Sequence, residues 1–217
     1  MPYRVAFLDL DDTLYSPASG VWNAIGERIQ VFMMDRLGLS YDQTTTLRRR
    51  YFEQYGTTLN GLWHNHAVDP EEYLAFVHAV PLEDMLQPDP DLAGMLRDLR
   101  PKRVVFTNAN LQHAERVLAC LGITREIDAI IDLFALEMVN KPEPAAYQRA
   151  MALAGVDNPG ACVLADDLPR NLYPARSMGM TTVLVGPGPA DGGADLHIQR
   201  ITELVTAVPR LREPIDG

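Results

Sequence analysis

Four short runs of the chain are apolar almost throughout: Tyr3 to Leu8 before Asp9, Arg103 to Phe106 before Thr107, Cys162 to Ala165 before Asp166, and Thr181 to Val185 before Gly186. Runs without polar alternation predict strands covered on both faces. Between them the apolar spacing becomes helical. Leu92, Met95, Leu96 and Leu99 fall at i, i+3, i+4 and i+7, and the stretch from Leu111 to Leu121 stops at Gly122, a residue suited to a helix C-cap. Pro142 and Pro144 open a further helix that runs through Tyr147 and Ala150 to about Ala154, with Gly155 beyond it. Strand and helix alternate, which predicts an α/β fold with a doubly wound, Rossmann-like parallel sheet. Ligands of such sheets bind past the carboxyl ends of the strands, where Asp9, Thr107 and Asp166 stand.

Residues 16–87 break the alternation with a segment that reads as all-helical. Trp22, Ile25, Ile29, Phe32 and Met33 form one apolar stripe, and Ser40 to Gln43 is a capping box. Asp69-Pro70-Glu71-Glu72 combines an N-cap, a proline at the first helical position and an acid three residues on. The aromatic and methionine side chains here are read as packing. The expected organisation is therefore a core of residues 1–15 and 88–217 interrupted by a helical cap domain of residues 16–87, inserted directly after Asp9 and Asp11 and so placed over the mouth of the sheet. Gly186 to Gly193 reads as a loop and Ile198 to Val208 as a final helix. There is no internal repeat or low-complexity tract.

The charge balance narrows the partners. Nineteen Lys and Arg against 29 Asp and Glu leave a net charge of −10 on 217 residues, which argues against a nucleic-acid polymer, since successive phosphates need a clustered basic surface. The one basic run, Arg48-Arg49-Arg50, points in several directions on a helix and reads as a solvated face. No apolar stretch approaches the roughly 20 residues that span a bilayer, and acids appear by Asp9 where a signal peptide would still be apolar. A cytoplasmic location without membrane partners is expected. Cys120 and Cys162 sit among aliphatic residues and read as buried free thiols. Nothing in the sequence specifies an oligomeric state.

The segment Asp9-Leu10-Asp11-Asp12-Thr13-Leu14 places three carboxylates within four residues at the end of a buried strand. Like charges so close repel unless a cation or proton compensates, and helix capping accounts for one of these acids but not for three. A second pair, Asp166-Asp167, follows another buried strand, so two acidic clusters converge on one end of the sheet. Oxygen ligands without His or Cys favour a hard cation, Mg²⁺ ahead of Ca²⁺ or Zn²⁺. Magnesium beside a carboxylate suggests phosphate chemistry through an aspartyl-phosphate.

With these residues in place the chain resembles phosphatases of the haloacid dehalogenase superfamily, whose four motifs occur in order. The first matches Asp9, Asp11 and Thr13, the second Thr107-Asn108, the third Lys141 in Lys141-Pro142-Glu143-Pro144, and the fourth Asp166-Asp167, with Ala165 where many members have glycine. The resemblance implies that Asp9 is nucleophile and metal ligand. Asp11 would protonate the leaving oxygen, then deprotonate water, and would bind Mg²⁺ through its backbone carbonyl. Thr107, through its hydroxyl, and Asn108, through its backbone amide, would hold phosphoryl oxygens beside Lys141, which neutralises Asp9 and the transferring group. Asp166 would complete the metal site and Asp167 would support Lys141 or a metal-bound water. An acid at Asp11 favours a phosphatase or phosphomutase, since dehalogenating members have no ester oxygen to protonate.

A narrower resemblance, to pyrimidine 5′-nucleotidases of the superfamily, lies in Tyr55-Gly56-Thr57-Thr58-Leu59-Asn60-Gly61-Leu62, in Pro81-Leu82 to Pro88, and in Phe106-Thr107-Asn108-Ala109 with His113-Ala114 and Arg116-Val117-Leu118. It implies a small-molecule phosphate ester such as UMP or CMP as substrate, with Tyr55, Asn60, His64 and His66 as groups a nucleoside could use. The core motifs are equally compatible with a phosphatase of another small metabolite, a sugar phosphate or phosphoglycolate. A non-catalytic phosphate-binding protein would be expected to have lost at least one of these positions, and none is lost.

Overall fold

The computed structural model describes residues 2–188 and 193–214. Its six strands are β1 (Val5–Leu8), β2 (Lys102–Phe106), β3 (Ala129–Ile131), β4 (Cys162–Asp166), β5 (Thr181–Val185) and β6 (Leu196–Ile198). The helices are α1 (Val21–Leu37), α2 (Tyr41–Tyr55), α3 (Thr58–His66), α4 (Pro70–Val77), α5 (Leu82–Met85), α6 (Pro90–Asp98), α7 (Leu111–Leu121), α8 (Pro144–Ala154), α9 (Pro169–Met178) and α10 (Leu204–Ala207). The chain divides into two compact units, one made of the residues up to Ala18 with those from Leu86 onward, the other of Ser19–Met85.

The first unit is a doubly wound α/β sheet, all parallel, in the order β3-β2-β1-β4-β5-β6. The chain builds outward from β1 in both directions, and such a reversal of strand order opens a crevice at the carboxyl ends. Register decides what stands there. Leu8 pairs with both Val105 and Ala165, so Asp9 is level with Asp166, and the Asp9 amide donates to the Ala165 carbonyl at 2.9 Å. The sheet packs on one side through Phe7, Phe106 and Tyr147, whose rings meet edge to face at 5.8 and 5.4 Å, together with Leu164, Leu172 and Ala175. Asp132, just past β3, ties the neighbouring loops down, its two oxygens accepting the Leu111 and Ala135 amides.

Three expectations for this unit need correction. Two further strands exist, β3 and β6, each three residues long at a sheet edge, too short to leave a pattern. The helix expected over Ile198–Val208 is instead the end of β6, a 3₁₀ turn (Ile201–Glu203) and the four-residue α10. Ile201, Leu204, Val205 and Val208 are buried at helical spacing, but one apolar face is shared by two short turns. Pro142 lies before α8, which starts at Pro144. Of the loop read at Gly186 to Gly193, residues 189–192 lie outside the described residues.

The second unit is helical. α2 opens on the Ser40–Gln43 capping box, and Asp69 caps α4 by accepting the Glu72 amide. α2 and α3 approach so closely that a Cβ at Gly61 would collide with the Tyr51 ring. Phe32 on α1 meets Tyr73 and Phe76 edge to face at 5.1 and 5.5 Å. Ile25, Ile29, Phe32 and Met33 are buried, whereas Trp22, expected on the same stripe, is 42% exposed at the first turn of α1, where Val21 is buried instead. Arg49 and Arg50 are exposed, and Arg48 is partly buried with its guanidinium on the Gly26 carbonyl. Cys162 is a buried free thiol, its pKa pushed up to about 11 by burial, but Cys120 is only partly buried.

Candidate active site

The carboxyl ends of β1 and β4 converge on one lysine. Lys141, 1% exposed, donates from Nζ to Asp9 Oδ1 and Asp166 Oδ2, both at 2.7 Å. A cation buried this completely is stable only with such partners. Burial works to lower the Lys141 pKa, but the charges of Asp166 and then Asp9 outweigh it and hold it above its ordinary value. The lysine is fixed from behind as well. Asn108, past the end of β2, clamps its backbone in both directions, accepting the Lys141 amide at 2.8 Å and donating to its carbonyl at 3.0 Å, and Asn140 donates to the same carbonyl.

Each acid is held in turn. Thr13 Oγ1 donates to Asp9 Oδ2 at 3.0 Å. Asp166 accepts from Asn171 Nδ2 at 2.9 and 3.1 Å and from the Leu168 amide at 2.9 Å. Asp11 Oδ1 meets the Tyr15 hydroxyl at 2.6 Å and His113 Nε2 at 2.8 Å. Between Asp11 and Thr13 the chain turns through Asp12, which has a left-handed φ of 57°, uncommon for a non-glycine residue but open to aspartate. Burial, then the Asp11 charge, pushes the Asp12 carboxyl up to about 6.

Single oxygens of Asp9, Asp166 and Asp167 lie within 4.8 Å of one another. Three hard oxygen donors that close suit an oxygen-seeking divalent cation such as Mg²⁺. The protonation chemistry agrees. Burial raises the Asp9 carboxyl to about 7, against the pull of Lys141, and raises Asp167 to about 9, with the charges of Asp9 and Asp166 adding to it. Both folded values exceed the ordinary 3.8, so the fold penalises the ionised forms. That penalty is absent below about pH 4, grows as pH rises and is complete above about pH 9. A cation that binds ionised carboxylates must displace these protons. The Mg²⁺ dissociation constant is therefore expected to fall about 10-fold or more between pH 6 and pH 8. Thermal melts with and without Mg²⁺ check this: the gain in Tm should be larger at pH 8, and a pH-independent gain would contradict it.

All seven core positions expected from the sequence thus lie in the first unit, with Asp9, Lys141, Asp166 and Asp167 gathered in one cluster and Asn108 behind it. Thr107 is buried at the end of β2, its hydroxyl oxygen accepting the Ala109 amide at 3.0 Å, which leaves its proton to give. Tyr55, Asn60 and His66 belong to the second unit. Tyr55 stacks on His64 at 5.7 Å, Asn60 is buried in α3, and His66 Nε2 meets the Tyr51 hydroxyl at 2.7 Å. Asn171, Tyr15 and the side-chain roles of Asn108 and His113 are not legible in the chain. Only the short spacings Asp11 to Tyr15 and Asp166 to Asn171 offer a local signal for any of them.

This sheet with paired acids and a buried lysine at its carboxyl edge defines a hydrolase of the haloacid dehalogenase type. The chain belongs to the haloacid dehalogenase-like hydrolase family, which matches residues 3–179. It is 30% identical over 195 residues to phosphate metabolism protein 8 of Saccharomyces cerevisiae, covering 83% of this chain but only 61% of the yeast protein. Among solved structures the fold is similar to a HAD phosphatase from Thermococcus onnurineus (TM-score 0.63, 21% identity, 97% and 100% of the two chains). It is also similar to β-phosphoglucomutase from Clostridium difficile (0.65, 19%, 96% and 97%) and to L-2-haloacid dehalogenase from Xanthobacter autotrophicus (0.63, 18%, 95% and 98%). No described helix is long and apolar enough to cross a membrane.

Proposed function

We propose that this chain is a Mg²⁺-dependent phosphomonoester hydrolase that works through an aspartyl-phosphate on Asp9 and prefers pyrimidine nucleoside 5′-monophosphates. The observation that carries the reading is Lys141 Nζ held between Asp9 and Asp166 with Asp11 two residues beyond the nucleophile. A carboxylate nucleophile, a cation to offset charge on the transferring group and a separate proton carrier are what phosphoryl transfer to an acid requires. The yeast relative's name, which speaks of phosphate metabolism, is in keeping with phosphate as the product.

An Asp9 oxygen attacks phosphorus while the ester P–O bond breaks and Asp11 gives its proton to the leaving oxygen. Asp11, now a carboxylate, takes a proton from water, the water oxygen bonds to phosphorus, and the bond to Asp9 breaks to free phosphate. Lys141 offsets the negative charge of Asp9 and of the phosphoryl oxygens, while the Thr107 hydroxyl and the Asn108 backbone amide donate to those oxygens. Asp9, Asp166, the Asp11 carbonyl and, given its place in the cluster, Asp167 would hold Mg²⁺, which when bound would supply further neutralisation and favour the ionised form of Asp9. Discrimination among esters falls to residues 16–87, since the core motifs engage only the phosphate and the ion.

A phosphate-release screen over nucleoside monophosphates and sugar phosphates, with and without Mg²⁺, tests this. UMP or CMP is expected to show a higher kcat/KM than AMP or GMP, and substitution of Tyr55, Asn60 or His66 to narrow the gap where those groups meet the base. Equal turnover of purines and pyrimidines, or faster turnover of a sugar phosphate, would remove the nucleotidase part and leave the phosphatase.

A further inference from the structure

Two side chains from separate parts of the chain converge on one oxygen of Asp11. The Tyr15 hydroxyl reaches Oδ1 at 2.6 Å from four residues down the same turn, and His113 Nε2 reaches it at 2.8 Å from the first turn of α7. We propose that Tyr15 and His113 are positioning residues for proton transfer by Asp11, holding Oδ1 so that the transferred proton is carried on Oδ2. This rests on the phosphatase reading above.

The argument is geometric. A carboxyl on a turn can rotate about two bonds, and a general acid works only if its proton lies within hydrogen-bond reach of the leaving oxygen. A phenol is protonated at neutral pH and donates to a carboxylate, and an imidazole facing a carboxylate places its N–H there. With both donors on Oδ1, a proton on that oxygen would meet two hydrogens already there, so it resides on Oδ2 in the acid form and is received there in the base form. The holders are themselves fixed. Tyr15 is 7% and His113 1% exposed, and the His113 amide donates to Asn110 Oδ1 at 3.1 Å, pinning the start of α7. A histidine needed only to fill the core would not have to meet the acid that carries the transferred proton, nor would a tyrosine have to meet it on the same oxygen.

The test is the dependence of kcat/KM on the leaving group, using para-substituted phenyl phosphates from nitro to methoxy, since kcat/KM reports on transfer to Asp9. Tyr15→Phe and His113→Ala are each expected to lose about 10-fold on the methoxyphenyl ester and less than about 3-fold on the nitrophenyl ester. His113→Gln, which returns an N–H near the Nε2 position, should restore the shallow dependence. In an Asp11→Asn background neither change should steepen it further. Equal losses across the series, or no rescue by Gln, would overturn the proposal, since a merely structural role moves all esters alike. Should His113→Ala fail to fold, Tyr15→Phe, which removes a single hydroxyl, decides. A wild-type protein that releases phosphate from no ester refutes the phosphatase reading and this proposal with it. A wild type that is active while Asp11→Asn leaves the series unchanged refutes this proposal alone.

Discussion

Asp9→Asn is expected to abolish phosphate release, lowering kcat by about 10⁴-fold or more, while the protein melts no lower than the wild type at pH 8. Both halves follow from the same surroundings. The amide has no charge with which to attack phosphorus and is a poorer partner for Lys141 Nζ, 2.7 Å away. Its shape is nearly that of the acid, so Thr13 Oγ1 keeps a partner at the former Oδ2 position. Asp9 has a folded pKa of about 7, raised chiefly by burial. At pH 8 the ionised side chain therefore costs stability, a cost that begins above the ordinary 3.8 and is complete once pH passes 7. Removing the charge removes that cost, and Lys141 retains Asp166 as a partner. Phosphate release from p-nitrophenyl phosphate and a thermal melt check the two halves together. Residual kcat above about 1% of wild type would overturn the nucleophile assignment, whereas a collapse of the melt would mean that Asp9 is needed for folding.

How far such a cluster can be read from the chain depends on where each contact originates. β1, β2, β4 and β5 are legible because both faces are covered and their residues are apolar throughout, as at Ala6, Phe7 and Leu8. Acids that end such strands stand out against that background, which is why Asp9 and Asp166 can be placed at one sheet edge before any coordinates are known. β3 and β6 carry three residues each, with single buried residues at Ile131 and Ile198, and leave no pattern above that of a loop. The Ile201 to Val208 periodicity is real, yet periodicity reports which side chains face inward and not whether one helix or two short turns present them. Contacts made by His113 to Asp11 across 102 residues, or by Asn108 to the Lys141 backbone across 33, arise from strand order and register. A sequence shows them only once the sheet order is known.

Lys141 carries the largest expected effect on stability. Lys141→Met removes the cation that Asp9 and Asp166 share while filling much of the same volume, and is expected to cost about 3–5 kcal/mol at pH 8, because breaking a buried ion pair from one side leaves its partners' charge uncompensated. The loss should shrink at pH 5. Lysine itself does not titrate in this range: its folded pKa lies above the ordinary value, so its contribution is complete below about pH 10 and fades only as pH rises through the folded value. The pH dependence belongs to the acids. At pH 5 Asp9 and Asp167 carry protons with or without the lysine, because their folded values of about 7 and about 9 already lie above it and rise further once Lys141, which lowers both, is gone, so little of their charge is left to compensate. At pH 8 the acids of the cluster, left without an internal cation, should bind Mg²⁺ more tightly than in the wild type, since nearby positive charge no longer competes. Denaturant unfolding at pH 5 and pH 8, each with and without Mg²⁺, separates these effects: the variant should gain more from Mg²⁺ than the wild type at pH 8 and recover part of the lost stability. Turnover should not recover with it, because Lys141 also neutralises the transferring group. A variant as stable as wild type at both pH values would show that Asp9, Asp166 and Asp167 are balanced by something other than this lysine.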